Sequence, residues 1–354
     1  MIPLRYVPYQ ELAGEPSVIV DGASADGTVL TLSHWPNTPT PPGLEDDLSA
    51  QMAFRYLDET AHGNSLHGRA TAVSNNHFDQ DGLVSVFALV SPQEALARRE
   101  QLIEIARCGD FALYENRDAA RASMVISALG SPERSPLVRS ASADGTAGAY
   151  GGYAGYPEWS SMLYDELLGR LPEICDNVDS PRYESLWKEE DASLEESEEM
   201  ISSGAVRIEE HQEVDLAVFT VPPGSPDRGG HLFVGSWRPG LHPMALHNAT
   251  GRFTIAVITG QSYELYYRYE SWVQYRSARP RPRVDLSPLA ERLDALETGG
   301  GRWVAEKVSG LTPMLHLEGG GSSISPDRFI ESAKDHLLSA PPVWDPYAAA
   351  TSDT

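Results

Sequence analysis

The segment Asn75–Gly82 holds three residues whose types and spacing could bind a metal ion. It reads Asn-Asn-His-Phe-Asp-Gln-Asp-Gly and lies between two apolar runs. His77, Asp79 and Asp81 alternate, so at the end of an extended strand their side chains would point to one side. Imidazoles and carboxylates bind divalent metals, and Gly82 would permit a sharp turn after them. The segment therefore predicts half of a metal site.

Two simpler interpretations of the same segment exist. An EF-hand calcium loop that starts at His77 would need a bidentate glutamate at position 88, but that residue is alanine, which excludes this loop. The other interpretation is an acid-rich turn that caps a helix, because acids at a helix start accept backbone hydrogen bonds and interact favourably with the helix dipole.

Further candidate ligands follow other predicted elements. Asp21 ends one short apolar strand and His34 ends the next, while Asp110 lies in a turn after a helix predicted from Ser91 to about Arg107. Because ligands gather at the carboxyl ends of parallel strands, we expect these side chains to meet the first three. Four carboxylates and two imidazoles predict two divalent ions, about 3.5–4 Å apart, with Mn²⁺ or a similar ion favoured. A packed histidine and two ordinary turns are the structural alternatives.

The apolar periodicity divides the chain into two predicted domains. Residues 1–172 alternate strands with helices, which indicates an α/β domain with a mostly parallel sheet and helices on both faces. Residues 173–213 are predicted to be an acidic helical connector. Residues 214–340 are predicted to form an α+β domain with an antiparallel sheet, and residues 341–354 a loosely held tail.

The composition excludes several classes of protein. The net charge is −24, from 27 basic and 51 acidic residues, so duplex nucleic acid is not an expected partner. Only two cysteines are present, which excludes a disulfide framework and a cysteine-based zinc site. No apolar run approaches the ~18 residues of a membrane span and no signal pattern is seen, so a cytoplasmic protein without membrane contact is expected. A serine-hydrolase elbow, a P-loop and a dinucleotide fingerprint are also absent from the sequence.

Four short segments resemble the motifs of the DHH phosphoesterase superfamily. The pattern strand-His-x-Asp-x-Asp-Gly-helix over Val73–Leu89 is similar to the first motif, and Val18–Asp21 looks like the second. Val29–Pro36 resembles the third motif, with Ser-His-Trp at positions 33–35 where the family has Asp-His-His, and Asp47–Gln51 resembles the serine-containing helix that follows this motif in the family. Gly109–Phe111 resembles the fourth. The order is permuted, because the segments that carry Asp21 and His34 precede the first motif. An uncharacterised actinobacterial family is the other membership that we consider, and it implies no activity.

The resemblance implies a centre that binds two Mn²⁺ ions and hydrolyses a phosphoester. Its ligands would be Asp21, His34, His77, Asp79, Asp81 and Asp110, of which His34, His77, Asp79 and Asp81 would also be catalytic. The expected substrate is a small phosphorylated molecule or a short nucleotide with a phosphodiester or pyrophosphate bond.

Five further residues are candidates for substrate binding. Asn76 adjoins the metal segment, Arg279 and Arg281 belong to a short basic segment, and Gly320 and Gly321 belong to a glycine-rich loop ahead of the last predicted helix. Arginines and the backbone N–H groups of such loops bind anions. A solvated basic loop and a simple turn are the alternatives.

Two other functions remain open from the sequence. The Ser-His-Trp sequence at positions 33–35 lacks the acid and the second imidazole of the family motif, which is compatible with a metal- or ligand-binding protein that does no catalysis. Residues 176–215 carry 14 acids against three bases, which is compatible with an acidic interaction scaffold. The oligomeric state is not predicted.

Overall fold

The structure is a computed structural model that describes residues 3–61, 68, 70–132, 134–137, 156–223 and 241–348. The chain divides into two compact units, and the boundary between Ala192 and Ser193 lies inside a helix. The α/β fold class predicted from the sequence is confirmed, with a parallel sheet and flanking helices in the first unit and a mixed sheet in the second.

The first unit is built on a four-stranded parallel sheet. Its strands are β1 (Arg5–Tyr6), β2 (Ser17–Val20), β3 (Thr28–Leu32) and β4 (Ala72–Ser74), in the order β1-β4-β2-β3. Every residue of β2 and β4 is buried, which explains why these strands read as continuous apolar runs rather than alternating ones. All strand pairs are parallel, so the carboxyl ends of the strands share one edge of the sheet.

Eight helices of the first unit fall within the described residues. They are α1 (Ser49–Ala61), α2 (Gln80–Val90), α3 (Pro92–Ala97), α4 (Arg99–Phe111), α5 (Arg117–Gly130), α6 (Tyr156–Leu167), α7 (Leu171–Asp176) and α8 (Pro181–Ser202), which continues into the second unit. A 3₁₀ turn spans Tyr9–Glu11. Helix α2 is buried over almost its whole length and packs against α1 and α4.

The helix predicted from Ser91 to about Arg107 is two helices. Arg98 leaves the helical conformation and separates α3 from α4. Helix α4 then continues to Phe111 and ends at Ala112, which has a left-handed backbone with φ 50°. Asp110 therefore lies in the last helical turn. Its prediction as a residue of a Gly-flanked turn was wrong, because Gly109 is tolerated inside the helix.

The second unit is built on a six-stranded sheet. Its strands are β5 (Arg207–His211), β6 (Leu216–Val221), β7 (Thr254–Thr259), β8 (Ser262–Tyr267), β10 (Arg302–Ala305) and β11 (Met314–Glu318), in the order β10-β11-β8-β7-β6-β5. The prediction of an antiparallel sheet was wrong for one pair, since β6 and β7 are parallel. The alternating pattern of a strand shows which faces are buried and carries no information on strand direction.

The remaining elements of the second unit cover this sheet and extend it. They are α9 (Pro243–Asn248), α10 (Ser287–Leu296), α11 (Pro326–Ser339), the two-stranded pair of β9 (Arg283–Val284) with β12 (Pro342–Trp344), and 3₁₀ turns at Gln212–Val214 and Tyr269–Ser271. Alternate residues of β6 pack into two separate cores, one with α10 and α11 and the other with α9. Strand β12 occupies part of the segment predicted to be a loose tail.

Part of the acidic helix α8 is paired within the first unit. Asp191 forms ion pairs with Arg117 and Arg121, and Glu190 forms one with Arg134. These acids therefore have a structural role in holding α8 against neighbouring elements. None of the described helices combines the length and the apolar character that a bilayer crossing requires.

Candidate metal centre

The six predicted ligands come together at the carboxyl edge of the parallel sheet. Asp21 follows β2, His34 follows β3, and three more ligands follow β4 in the loop and first turn that begin helix α2. Asp110 joins them from the end of α4. The side chains form two groups that could each hold a metal ion, and Asp21 belongs to both groups.

The inner group consists of Asp21, His34, Asp81 and Asp110. One potential ligand atom from each lies within 4.8 Å of the others, and all four residues are buried. Nε2 of His34 lies 3.5 Å from Oδ1 of Asp21 and 3.5 Å from Oδ2 of Asp110. Nδ1 of His34 is 2.6 Å from the carbonyl oxygen of Asp47 and donates to it. This bond fixes the ring with Nε2 towards the carboxylates, as in histidine ligands of metals.

The outer group consists of Asp21, His77 and Asp79. Nε2 of His77 lies 2.8 Å from Oδ2 of Asp79 and 3.3 Å from Oδ2 of Asp21. Nδ1 of His77 is 3.0 Å from Oδ1 of Asn76, which orients this ring as the Asp47 carbonyl orients the other. The side chains of His77 and Asp79 are 21% and 29% exposed. The outer group therefore meets solvent, whereas the inner group is closed.

The local structure of the metal segment differs from the extended strand that the alternation predicted. Strand β4 ends at Ser74, and Asp79 is the N-cap of helix α2, with Oδ1 accepting from the N–H of Gly82 at 2.8 Å. Asp81 lies in the first helical turn and faces the inner group. The helix-cap interpretation is thus correct for one oxygen of Asp79, while the other oxygen faces His77. The cap and a ligand role are compatible.

The carboxylate of Asp81 is held by the start of helix α1. Oδ2 accepts from the backbone N–H of Ser49 at 2.8 Å, and Oδ1 accepts from that of Ala50 at 2.7 Å. The hydroxyl of Ser49 donates to Oδ1 of Asp21 at 3.0 Å. From the sequence, Ser49 belongs to the segment 47–51 that resembles the serine-containing helix after the third family motif, and no contact with Asp21 was predicted for it. The available signal was a serine at the start of the helix that follows His34, a position that usually indicates only a cap.

Gly82 is required by close packing and not by a turn. It lies inside helix α2, where a Cβ atom would collide with the amide of Asn75 and lie 2.7 Å from the hydroxyl of Tyr164. That hydroxyl donates to the carbonyl oxygen of His77 at 2.9 Å and accepts from Nδ2 of Asn75 at 3.1 Å. Tyr164 is buried and fixes the loop that carries the outer group. Nothing in the sequence distinguishes it from an ordinary core tyrosine.

Gly109 brings the last ligand into place in a similar way. A Cβ atom at Gly109 would lie 2.6 Å from the Cβ of Gln80, at the start of helix α2. Helices α2 and α4 can therefore approach closely at this point, which lets Asp110 reach the inner group.

The candidate centre contains more carboxylate oxygens that accept hydrogen bonds than side chains that donate them, and the pKa values of its residues are shifted accordingly. Burial and then Asp79 raise the pKa of Asp21, and burial followed by Asp21 and Asp79 raises the pKa of Asp81 well above its usual range. Burial disfavours the charged ring of His77, but Asp79 and Asp21 outweigh it and raise its pKa well above the ordinary value. Burial lowers the pKa of His34. In the described chain no arginine or lysine pairs with Asp21, Asp79 or Asp81.

The predicted substrate residues outside the metal segment lie in the second unit. Arg279 is 3.2 Å from Oδ2 of Asp345 and stacks on Tyr347, and Arg281 donates to the carbonyl oxygen of Glu213. Both arginines have contacts within their own unit, and their binding of substrate stays a prediction. Asn76 orients His77, and its own contact with substrate also stays a prediction.

The glycine-rich loop already holds an anion of the chain itself. Gly320 has a left-handed backbone with φ 136°, and a Cβ atom at Gly321 would lie 2.7 Å from Gln261. Next to them, the backbone N–H of Ser323 donates to Oε1 of Glu297 at 2.8 Å. The side-chain hydroxyls of Ser322 and Ser323 also donate to Glu297. Burial raises the pKa of Glu297, but the hydrogen bonds together outweigh it and lower this pKa to about 2. The contacts to this carboxylate come from the serines, and binding of substrate by Gly320 and Gly321 stays a prediction.

Comparisons with known proteins add one finding. A family model described as a family of unknown function (DUF6687) matches residues 2–348. The comparison with curated proteins gave no match, and neither did the comparison with solved structures.

Proposed function

The chain belongs to the DUF6687 family, and we propose that it is a divalent-metal-dependent phosphoesterase. The substrate class that we propose is a small molecule or short nucleotide with a phosphodiester or pyrophosphate bond. The observation that carries this proposal is the pair of ligand groups that share the buried carboxylate of Asp21.

Asp21 presents one carboxylate oxygen to each group. Oδ1 is 3.5 Å from Nε2 of His34 in the inner group, and Oδ2 is 3.3 Å from Nε2 of His77 in the outer group. Oδ2 is buried and makes no hydrogen bond of good geometry with the described residues, although Nε2 of His77 lies 3.3 Å away. A buried acceptor without a donor is costly unless a cation or a proton meets it. A carboxylate between two such groups suits a ligand that bridges two ions.

The donor set favours a hard or borderline divalent ion. Carboxylate and imidazole ligands without sulfur are typical of Mn²⁺ and similar ions. Two divalent ions supply four positive charges, which equals the charge of the four carboxylates of Asp21, Asp79, Asp81 and Asp110. The residues present therefore fit a pair of ions in number, type and charge.

Two ions held here would lower the pKa of water and stabilise negative charge on phosphoryl oxygens, which is the chemistry of two-metal phosphoesterases. The residues of the chain supply the arrangement. The Asp47 carbonyl and Asn76 orient the two imidazoles, and the start of helix α1 orients Asp81. The partly exposed outer group is the side from which a substrate would reach the centre.

The resemblance to the DHH phosphoesterase superfamily supports the same proposal. The six residues that meet in space are those that the resemblance assigns to two Mn²⁺ ions. Permutation of the motif order is no obstacle, because the strands are parallel neighbours whatever their order along the chain. The arrangement depends on strand ends that share one edge.

Hydrolysis assays test this proposal directly. The purified chain, stripped by chelator and supplied with Mn²⁺, should hydrolyse an activated aryl phosphodiester or pyrophosphate. The double substitution Asp79→Ala with Asp81→Ala removes a ligand from each group, so turnover should fall by roughly 10³-fold, equivalent to a loss of several kcal/mol. Asp26→Ala, an exposed acid in the same unit, is the matched control and should retain full activity.

Absence of Mn²⁺-dependent turnover on both substrates would contradict the proposal. Unchanged turnover in the double variant would contradict it equally, because the centre would then not be the site of reaction.

One observation favours a second candidate, a metal-binding protein without catalysis. The positions where the family motif has an acid and a second imidazole are occupied by residues with structural contacts. The hydroxyl of Ser33 accepts from the N–H of Trp35 at 3.2 Å, and the Trp35 ring stacks on His77 with centroids 5.3 Å apart. Bound metal without hydrolysis across a broad phosphoester panel would favour this candidate.

A further inference from the structure

Ser49 is buried at the point where the two ligand groups meet. Its hydroxyl donates to Oδ1 of Asp21, the carboxylate that both groups share, at 3.0 Å. Its backbone N–H donates to Oδ2 of Asp81, which belongs to the inner group alone, at 2.8 Å. Ser49 itself is not a member of either group. Its contacts therefore concern the orientation of ligands.

The hydroxyl contact decides which way the Asp21 carboxylate faces. Asp21 has a left-handed backbone with φ 47°, immediately after strand β2, and its side chain reaches into the centre. With Oδ1 held by Ser49 beside His34, the other oxygen is directed to His77. If the carboxylate rotated about its bond to Cβ, the two groups would no longer each face one of its oxygens.

We propose that Ser49 is a positioning residue whose hydroxyl holds Asp21 in the orientation that bridges two metal ions. The inference rests on the proposed function, since it presumes that ions bind at both groups. Without the hydroxyl, the inner group keeps His34, Asp81 and Asp110, whereas the outer group keeps only His77 and Asp79. The outer ion depends more on Asp21 and is the one that would be lost.

The substitution Ser49→Ala isolates the hydroxyl from the rest of the residue. The backbone N–H groups of Ser49 and Ala50 that hold Asp81 are retained in this variant. Loss of a hydrogen bond to a ligand typically weakens metal binding by about 10- to 100-fold. We therefore expect affinity at the outer group to fall by this factor while the inner group still binds.

The test is a Mn²⁺ titration followed by elemental analysis and electron paramagnetic resonance, which need no enzyme activity. Two ions that share a carboxylate give an exchange-coupled spectrum, whereas one isolated ion gives the six-line signal of Mn²⁺. Wild type should bind two coupled ions. At a concentration that just fills both groups of wild type, Ser49→Ala should fill the inner group, leave the outer group half filled or less, and lose the coupled spectrum in the same proportion. Ser49→Thr, which keeps the hydroxyl, should retain both.

Ser17→Ala is the matched control. Ser17 is buried on strand β2, four residues before Asp21, and its hydroxyl has no hydrogen-bond partner among the described residues. This variant should bind two coupled ions as wild type does. Loss of coupling here to the same extent as in Ser49→Ala would mean that any buried serine matters, and would overturn the inference.

The remaining outcomes separate this inference from the proposed function. If wild type binds no Mn²⁺, the proposed function fails and this inference fails with it. If wild type and Ser49→Ala both bind two coupled ions, only the role of Ser49 is overturned. If circular dichroism shows that Ser49→Ala does not fold, Ser49→Thr decides, since loss of coupling in that folded variant overturns the role and its retention supports it.

Discussion

The two units each bury a cluster of charged side chains, and the clusters differ in one respect. In the second unit Arg283 is fully buried, yet it donates to the hydroxyl of Ser271 and to backbone carbonyls, namely those of Arg268, Val308, Gly310 and Leu311. The neighbouring Arg268 is paired with Glu270. In the first unit the candidate metal centre gathers four carboxylates against two imidazoles, and Oδ2 of Asp21 has no donor of good geometry among the described residues.

A buried structural cluster and a candidate binding centre can be distinguished by whether the chain supplies partners for their polar groups. Burial disfavours charge in both places, lowering the pKa of Arg283 to about 9 and raising the pKa of Asp21 and Asp81. Around Arg283 the donors of the buried guanidinium meet acceptors of the chain, whereas in the candidate centre the carboxylate oxygens exceed the donors that the described residues supply. We propose that a cation from outside the chain is the missing partner there.

The largest expected change in the free energy of unfolding comes from removing the buried guanidinium of Arg283. Arg283→Met keeps much of the volume but leaves four backbone carbonyls, that of Arg268 fully buried and three others at half-buried contacts, without their donor. We expect the free energy of unfolding to fall by about 3–5 kcal/mol, as when one member of a buried charged network is removed. Denaturant titration measures it. Arg279→Met, an exposed arginine in the same unit, should change it by less than about 0.5 kcal/mol. Equal effects of the two substitutions would contradict a structural role for Arg283.

A smaller effect should come from supplying the missing cation. Mn²⁺ at about ten times the dissociation constant of each group should stabilise the protein by about 1.4 kcal/mol for each of two ions, or about 2.8 kcal/mol in all, measured as a rise in the thermal unfolding temperature. This stabilisation by Mn²⁺ should grow with pH. The folded-state pKa values of Asp21 and Asp81 lie above the unfolded values, so metal-free stability falls as pH rises through them.

Protons and Mn²⁺ compete for the same oxygens, which gives the sign of this pH dependence. Stabilisation by Mn²⁺ should be larger at pH 8 than at pH 5. If Mn²⁺ raised the thermal unfolding temperature equally at both pH values, or at neither, the metal centre would not differ from the Arg283 cluster in needing a cation.

The smallest expected effect is an increase in the free energy of unfolding, whereas Arg283→Met decreases it. Asp21→Asn removes one negative charge from the acceptor-rich centre, while its side-chain oxygen can still accept from Ser49. In the presence of chelator this variant should be more stable than wild type by about 0.5–2 kcal/mol, at the expense of function. Denaturant titration in chelator measures the gain, and repetition with Mn²⁺ should show that the stabilisation by metal is reduced. A metal-free variant less stable than wild type would contradict an unbalanced centre.

The parallel sheet and the gathering of ligands were accessible from the sequence for a simple reason. Short apolar runs that end in Asp21 and His34 predict buried strands, and parallel strands bring their carboxyl ends to one edge. The local conformation of the ligands was less accessible. Asp79 and Asp81 alternate as in a strand but belong to the start of a helix, because the same spacing lets one residue cap the helix and the other lie in its first turn.

Contacts between distant segments were beyond the reach of the sequence. Tyr164 lies 87 residues after His77 and reads as one more aromatic residue in a helical pattern, although it fixes the loop of the outer group. Ser49 is a common type at a helix start, so its second contact with Asp21 has no local signal. The parallel pairing of β6 with β7 was missed because burial patterns do not report strand direction.

The position of Asp79 at the start of helix α2 determines when its side chain loses rotamer freedom. One of its oxygens is bonded to the N–H of Gly82, so its side chain is fixed as soon as the helix forms. The rotamer entropy of this residue is thus lost during folding and not when an ion arrives. A ligand that is immobilised beforehand binds an ion with a smaller entropic penalty, so Asp79 would contribute a preorganised carboxylate to the ion that we propose for the outer group.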